Sequence, residues 1–211
     1  MKNSLTRQSA GEAAILNAAV RLFSANGYDA VSMREVASEA GVSKANIYHH
    51  FDSKEALYRA ILHQSAEDLA GLVETLAEGA GSFESRIAEF ASGHLKHLDG
   101  NPLASRLIIR EAFLSDDERS RMLVDQVFGS IFERIVSIFR AGQQAGALRR
   151  ELDPALCATL LMGADVFFFQ ARDMLNQLPQ AEFAAHPARF SREMVEMMLR
   201  GMMNPEVEGQ P

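Results

Sequence analysis

The chain lacks the features that define several specialised protein classes. Its 211 residues include one cysteine, Cys157, so an internal disulfide or a cysteine-rich zinc site is excluded, and we expect a reducing, cytoplasmic compartment. The 6 prolines and 14 glycines are too few for a disordered or collagen-like chain. The N-terminus has no apolar signal core, and Asp165 interrupts the most apolar stretch, at 157–169. We therefore predict neither secretion nor a membrane span.

The net charge is −7, so the chain lacks the excess of basic residues that is typical of nucleic-acid-binding proteins, but its charge is unevenly distributed. Residues 1–60 carry seven basic and six acidic side chains, a balance of +1, which leaves −8 for the rest of the chain. The asymmetry permits an N-terminal module that faces phosphate on an otherwise acidic protein.

Helical periodicity is present along almost the whole sequence. Apolar residues recur at helical spacing, and no sustained alternation of β-branched residues predicts strands, so we expect an all-α protein. Ser32 and Glu35 form a capping-box pattern, and Gly41 stands where the next helix ends. Asp153-Pro154 and His186-Pro187 open two later helices, since proline is tolerated at the first helical position. The other helices of the second half are predicted at about 83–98, 102–114 and 117–145.

Two short helices between Ser32 and Lys54 form the most informative pattern. Each has about nine residues, too few to be stable alone, so both must pack on the helices before and after them. Ala37, Gly41 and Ile47 supply a small residue for close approach, a left-handed turn and an apolar anchor. Such a pair presents its second helix outward, which is how a helix enters the major groove of DNA. The sequence therefore predicts a helix-turn-helix.

The outward side chains of the second helix are rich in hydrogen-bond donors and nearly free of acids. These side chains are Lys44, Asn46, Tyr48, His49 and His50. Donors of this kind suit the oxygens of phosphates and the edges of bases. For Tyr48 and His50, packing between helices is an alternative that the sequence leaves open.

Residues 12–62 carry a set of motifs in a fixed order. They are Ala18-Ala19, Phe23, Gly27-Tyr28, Ser32-Met-Arg-Glu-Val-Ala37, Ala40-Gly-Val-Ser43, Ile47-Tyr-His-His-Phe51, and Ser53-Lys54-Glu55 with Leu57. With these motifs the stretch resembles the tetracycline-repressor (TetR) family of bacterial transcription regulators, and the rest of the chain is similar to that family in architecture. The resemblance implies a three-helix DNA-binding domain over 1–52 and a helical domain for effector binding and dimerisation over 53–211. A fourth helix links the two.

The resemblance also implies roles for individual side chains. Lys44 and Asn46 are expected to read base edges, because lysine can donate to guanine and asparagine can pair with adenine. The resemblance further implies DNA contacts, chiefly to phosphates that fix the register, from Ser32, Tyr48, His49, His50 and Lys54. The implied DNA partner is a palindromic double-stranded operator.

The last two predicted helices are apolar on more than one face. A surface helix needs one apolar stripe, so a second stripe predicts burial against a partner. Together with the family resemblance, this predicts a two-fold homodimer. The candidate interface residues are Leu160, Phe168, Met174, Phe190, Met194 and Met198. The alternative is that these are fully buried core helices.

Aromatic and polar residues of the C-terminal half are candidates for an effector cavity. They are Phe90, Leu107, Arg110, Phe113, Phe128, Phe132, Asp165 and Phe169. The 13 phenylalanines and 10 methionines favour a lipophilic effector, since these side chains adapt to irregular apolar shapes. The same residues would equally well form a solid core.

Catalytic signatures are missing from the sequence. No Ser/His/Asp arrangement, phosphate-binding glycine loop or paired carboxylates stand out, so we predict no enzyme and no cofactor. His94 and His97 share a helix face and are a possible metal pair, but two imidazoles alone do not complete a site, so no metal site is predicted. The predicted function is a ligand-responsive, DNA-binding repressor. The alternative is a small-molecule-binding or interaction protein whose helix-turn-helix does not bind DNA.

Overall fold

The structure is a computed structural model that describes residues 10–114 and 128–203, except for the side chains of 113 and 114. Within these ranges the elements are helices, which confirms the all-α prediction. The α-helices are α1 (Ala10–Asn26), α2 (Met33–Glu39), α3 (Lys44–His50), α4 (Lys54–Glu78), α5 (Phe83–Gly100), α6 (Pro102–Leu114), α7 (Ser130–Gln144), α8 (Pro154–Leu175) and α9 (Pro187–Met202). A 3₁₀ turn, Glu182–Ala185, lies between α8 and α9. The first part of the helix predicted over 117–145 lies outside the described residues.

The described chain divides into two compact units. The N-terminal unit contains residues 10–65 and, from later in the sequence, 103–114, while the C-terminal unit contains 66–102 and 128–203. The division falls inside α4, twelve or so residues later than the boundary that we predict from sequence. Helix α6 lies beyond α5 in the sequence, yet nearly all of it belongs to the N-terminal unit.

The core of the N-terminal unit is aromatic and closely packed. Tyr58 of α4 is fully buried and meets the rings of Phe23 and Tyr28 edge-on, at centroid distances of 5.3 and 4.9 Å. Ile15 and Leu57 are also fully buried. Helix α1 contacts both short helices, and these rings join the end of α1 to the start of α4.

Helix α6 is joined to the end of α1 by hydrogen bonds in both directions. The guanidinium of Arg110 donates to the carbonyls of Phe23 at 3.0 Å and Ser24 at 3.3 Å. In return, the Ser24 hydroxyl donates to the carbonyl of Leu103 at 2.9 Å. The last turn of α1 has no basic residue of its own, so Arg110 supplies a positive charge at the negative end of the helix dipole.

The core of the C-terminal unit lies among the second half of α4 and helices α5, α7, α8 and α9. Its fully buried side chains include Leu76, Ile87, Phe90, Ile135, Phe139 and Leu161. The end of α9 is fixed to the segment after α7, because the amide of Arg149 donates to the carbonyl of Met202 at 3.0 Å. Its neighbours Leu148 and Met203 form an isolated antiparallel bridge.

Helix α8 begins as the sequence predicts, with Asp153 as its N-cap and proline in its first turn. At 22 residues, with a mean hydropathy of 1.4 over its most apolar window, it is long and apolar enough to cross a membrane by length and composition. A helix in the core of a protein passes the same test, so the absence of a membrane span stays a prediction. In this unit α8 packs against α5 and α7, and Asp165 is paired in the interior.

Candidate nucleic-acid interface

Helix α2 begins at a complete capping box. The hydroxyl oxygen of Ser32 accepts a hydrogen bond from the amide of Glu35 at 3.2 Å, and the Glu35 carboxylate accepts one from the amide of Ser32 at 2.7 Å. These hydrogen bonds with Ser32 lower the pKa of the Glu35 carboxyl from its usual value. The box satisfies two amides that a helix start leaves without partners, which fixes where this seven-residue helix begins.

The turn between α2 and α3 depends on Gly41. Its φ of +66° is in the left-handed region that favours glycine, and it lets the amide of Val42 donate back to the carbonyl of Ala37 at 3.0 Å. The next residue, Ser43, caps α3, because its hydroxyl accepts from the amide of Asn46 at 3.1 Å. Ile47 is fully buried and anchors the inner face of α3.

The other side of α3 presents the donors that the sequence singles out. Lys44, Asn46, Tyr48 and His49 are exposed, and helix α3 contains no carboxylate. The half-buried ring of His50 lies 5.3 Å from that of His49 and 6.4 Å from that of Phe51. The packing alternative therefore fits His50 better than Tyr48. An exposed, donor-rich helix face held by two caps and one anchor suits contact with DNA.

Lys54, at the start of α4, has a structural role that the sequence does not reveal. Its ammonium donates to the carbonyl of Val31 at 2.8 Å and to that of Asp29 at 3.3 Å, and it lies 4.2 Å from the centre of the Tyr28 ring. These contacts hold the loop between α1 and α2. The predicted phosphate contact of Lys54 stays a prediction, since one N–H of the ammonium remains for it.

Three of the predicted effector residues lie in the interior of the C-terminal unit. Phe90, Asp165 and Phe169 are buried, and the ring of Phe90 stacks on that of His94, with centroids 5.7 Å apart. Nδ1 of His94 lies 3.0 Å from Oδ2 of Asp165. The other oxygen of Asp165, Oδ1, has no hydrogen-bond partner among the described residues. Burial raises the pKa of Asp165.

The structure gives His94 a partner that the sequence does not indicate. The sequence presents His94 as half of a metal pair with His97, whereas its carboxylate partner in the structure, Asp165, is 71 positions away. In the structure, no group of three or more potential metal ligands occurs among the described histidines, cysteines and acids. His97 is half-buried, and burial lowers its pKa.

Of the other predicted effector residues, Phe128 packs against the core cluster that contains Phe90. Leu107 is buried in the N-terminal unit, where Arg110 hydrogen-bonds to the end of α1, and the assignment of both to an effector cavity stays a prediction. Phe132 is exposed and Phe128 half-buried. The side chain of Phe113 lies outside the described residues.

The predicted dimer residues separate into exposed and buried groups. Leu160 and Met174 are exposed, and Phe190 and Met198 are half-buried. Phe168 and Met194 are buried inside the subunit, which corrects their assignment to the interface. The physical reason is packing within the unit, since the ring of Phe168 stacks on that of Phe190 at 4.0 Å.

Three exposed apolar residues that the candidate list leaves out lie on the same two helices. On α8, Leu156 and Phe167 are exposed, and they share one helix face with Leu160 and Met174. On α9, Met197 is 69% exposed. The spacing 156, 160, 167, 174 was available in the sequence, but the equally apolar buried face of α8 concealed it.

Comparison with protein families matches most of the described chain. Residues 15–61 match the model described as bacterial regulatory proteins of the tetR family. Residues 84–198, more than half of the chain, match the model of the tetracyclin repressor-like C-terminal domain. The first match contains the capping box, the turn and the exposed face of α3.

Individual proteins are similar over most of their length. The HTH-type transcriptional regulator UidR of Escherichia coli K12 is 27% identical over 198 residues, which are 94% of this chain and 96% of UidR. The nucleoid occlusion factor SlmA of Shewanella pealeana is 26% identical over 163 residues, 77% of this chain and 80% of SlmA. The fatty acid degradation regulator FadR of Bacillus halodurans shares the fold, with a TM-score of 0.73 at 17% identity over 93% of this chain and 98% of FadR.

Proposed function

This chain belongs to the TetR family of bacterial DNA-binding transcription regulators, and from that premise we propose that it is a repressor that a small lipophilic molecule releases from a palindromic operator. In this proposal, Lys44 and Asn46 read base edges, while Ser32, Tyr48, His49 and His50 contact the backbone. The protein acts in the cytoplasm as a homodimer, without a catalytic role.

The observation that carries the proposal is the exposed face of α3. Lysine and asparagine side chains on a helix can each make two hydrogen bonds to a base edge in the major groove. The face contains no acid that would repel phosphate, although the whole chain carries −7. An interaction surface without DNA function would not need a donor-rich, carboxylate-free helix at this position.

The test of DNA recognition starts from duplexes selected by the wild-type protein from a randomised pool. Lys44→Ala should lose about 1–3 kcal/mol at one base pair and relax the preference there, whereas His49→Ala should weaken all duplexes equally. Lys96→Ala removes one exposed charge from the C-terminal unit and serves as the control. Affinity should fall steeply with salt: each neutralised phosphate should lower log K by about 0.9 for every tenfold rise in salt concentration. Selection of no duplex, or binding without salt dependence, would contradict the proposal.

The proposed dimer uses the exposed stripe of α8 with Met197. The stripe consists of Leu156, Leu160, Phe167 and Met174, and Gly163 on the same face allows a close approach of a second helix. An apolar stripe of this length on a subunit surface is typical of an interaction site. Two-fold symmetry then places two copies of α3 on a palindrome, with half-sites about 34–36 Å apart.

The proposed effector site is the interior group of Phe90, His94, Asp165 and Phe169. Its apolar surroundings and its unpartnered carboxylate oxygen suit a lipophilic molecule with one polar group. The relative FadR is named for fatty acid degradation, which also supports a lipophilic class. Helix α4 runs through both units, so a ligand that shifts it would change the spacing of the two α3 helices. Calorimetric titration with and without operator should then give weaker effector binding in the presence of DNA.

A further inference from the structure

The C-terminal unit has a pocket that none of the predicted effector residues lines. It lies among the end of α4, the start of α5 and the second half of α7, with a volume of about 320 Å³. Small-molecule sites typically range from 300 to 1,000 Å³. Its lining residues are Ala77, Glu78, Phe83, Arg86, Arg134, Ser137, Ile138, Ala141, Gly142, Ala145 and Ala147.

One wall of the pocket is apolar and firmly held. Phe83 packs edge-on against Phe139 at 6.0 Å. It also lies directly against Gly142, where an added Cβ would be only 3.1 Å from the ring. Ile138, Ala141 and the two alanines that follow α7, Ala145 and Ala147, complete this wall. A hydrocarbon or aromatic group therefore has a preformed surface to cover.

Arg86 brings an unneutralised positive charge to the same pocket. Its Nη1 donates to the carbonyls of Leu76 at 3.0 Å and Ala77 at 2.6 Å, so it caps the end of α4. Its guanidinium lies 5.6 Å from the centre of the Phe83 ring. Nε is buried without a hydrogen-bond partner, and Arg86 makes no ion pair with a carboxylate among the described residues. The positive charge of Arg86 is therefore available to an anionic group that enters the pocket.

Arg134 supplies a second guanidinium, but its charge is already balanced. It makes a two-pronged ion pair with Glu74 of α4, with distances of 3.1 and 3.0 Å. Glu78 also lines the pocket; it is exposed and interacts electrostatically with Arg134. Arg86 is therefore the lining residue whose geometry leaves room for an additional anionic group.

We propose that this pocket binds a small amphiphilic carboxylate, with its head on the guanidinium of Arg86 and its apolar body against Phe83 and Ile138. At ~30 Å³ per non-hydrogen atom, the volume admits roughly ten such atoms. A medium-chain fatty acid anion or an arylacetate has this size. Because Nη1 stays on the carbonyls of Leu76 and Ala77, binding adds to the cap of α4 and does not displace it.

Sodium octanoate is the probe, and 1-octanol is its uncharged counterpart of equal chain length. We expect calorimetry on the full chain to show at least tenfold tighter binding of octanoate, because the guanidinium–carboxylate pair is charge-assisted. Octanoate should also raise the thermal unfolding midpoint, since it binds the folded state. Equal affinities for the two probes, or no binding of octanoate at millimolar concentration, would overturn the proposal.

Two variants locate the binding, and a third serves as the matched control. Arg86→Gln removes the charge, and Ala141→Leu fills the pocket from an exposed helix position without touching the arginines or the core. Each should weaken octanoate at least tenfold, while Arg140→Gln, an exposed arginine on the same helix, should leave it unchanged. If Arg86→Gln does not fold because the α4 cap is lost, Ala141→Leu alone decides. Octanoate binding that survives Ala141→Leu places the ligand elsewhere and refutes the site.

The measurement is independent of the proposed regulatory function. It uses no DNA, so a protein that selects no operator can still bind octanoate at Arg86. Conversely, if an effector still releases operator from the Ala141→Leu variant, the proposed repressor function holds whether or not octanoate binds at Arg86.

Discussion

The two units of this protein define their functional surfaces by different means. In the N-terminal unit, the face of α3 is set by local devices: two caps, one left-handed glycine and one buried isoleucine within 16 residues. In the C-terminal unit, long helices are apolar on several sides, and only packing decides which side is core. Phe167 is 64% exposed and its neighbour Phe168 is fully buried. A functional surface that caps and turns of neighbouring residues define can be predicted from sequence. A surface made of the side chains that remain exposed after helices pack cannot.

The sharpest test of this contrast is the pair of neighbouring phenylalanines. Phe168→Ala should cost about 3–5 kcal/mol of unfolding free energy, because it opens a cavity beside Phe190. Phe167→Glu should leave the helical circular dichroism intact and shift sedimentation to monomers, since a charge would enter the proposed interface. The contrast fails if Phe167→Glu unfolds the subunit or if it stays dimeric.

Ile47 tests the anchor of α3 in the other unit. Ile47→Ala should destabilise the N-terminal unit by about 2–5 kcal/mol and abolish DNA binding, because α3 loses its buried contact. Hydrogen exchange should speed up in α2 and α3 more than in α7 and α8. The exposed neighbour supplies the control: Tyr48→Ala should weaken DNA binding with little loss of stability.

Two lysines of the N-terminal unit separate stability from recognition. Lys54→Met should cost about 1–3 kcal/mol, because the loop between α1 and α2 loses two charge-assisted hydrogen bonds. Lys44→Met, at an exposed position, should change stability by less than about 0.5 kcal/mol and still remove base preference. Urea unfolding and duplex binding measure the two quantities, and equal stability losses would remove the structural role given to Lys54.

The smallest expected effect is a pH dependence in the C-terminal unit. Burial lowers the pKa of His97 in the folded state from 6.5, so near and below that pH the unfolded chain binds more protons. The unfolding free energy of the wild type should therefore fall as the pH drops from 7.5 to 5.5, and His97→Gln should lose part of this dependence. His63→Gln, an exposed change, should follow the wild type. If the unfolding free energies of wild type and His97→Gln fell in parallel as the pH drops, burial of His97 would make no contribution to the pH dependence.

The interior group and the Arg86 pocket show where sequence reasoning ends. Phe90, Asp165 and Phe169 could be chosen as polar and aromatic candidates, but the pairing of Asp165 with His94 joins residues 71 positions apart. Nothing local to Arg86 indicates that its Nε lies without a partner beside Phe83. Both features arise from helices that meet only after folding.

By itself, the sequence determined the all-α class, the helix starts at Ser32, Asp153 and His186, and the helix-turn-helix with its donor-rich face. Capping, left-handed turns and helical periodicity depend on residues within a few positions of each other, so they can be recognised in the sequence directly. Tertiary structure alone decided that α6 joins the N-terminal unit through Arg110, and that Phe168 is core while Phe167 is surface. The physical reason is that burial and hydrogen-bond partnership are properties of the packed assembly of helices, and the helical period cannot rank several apolar faces of one helix.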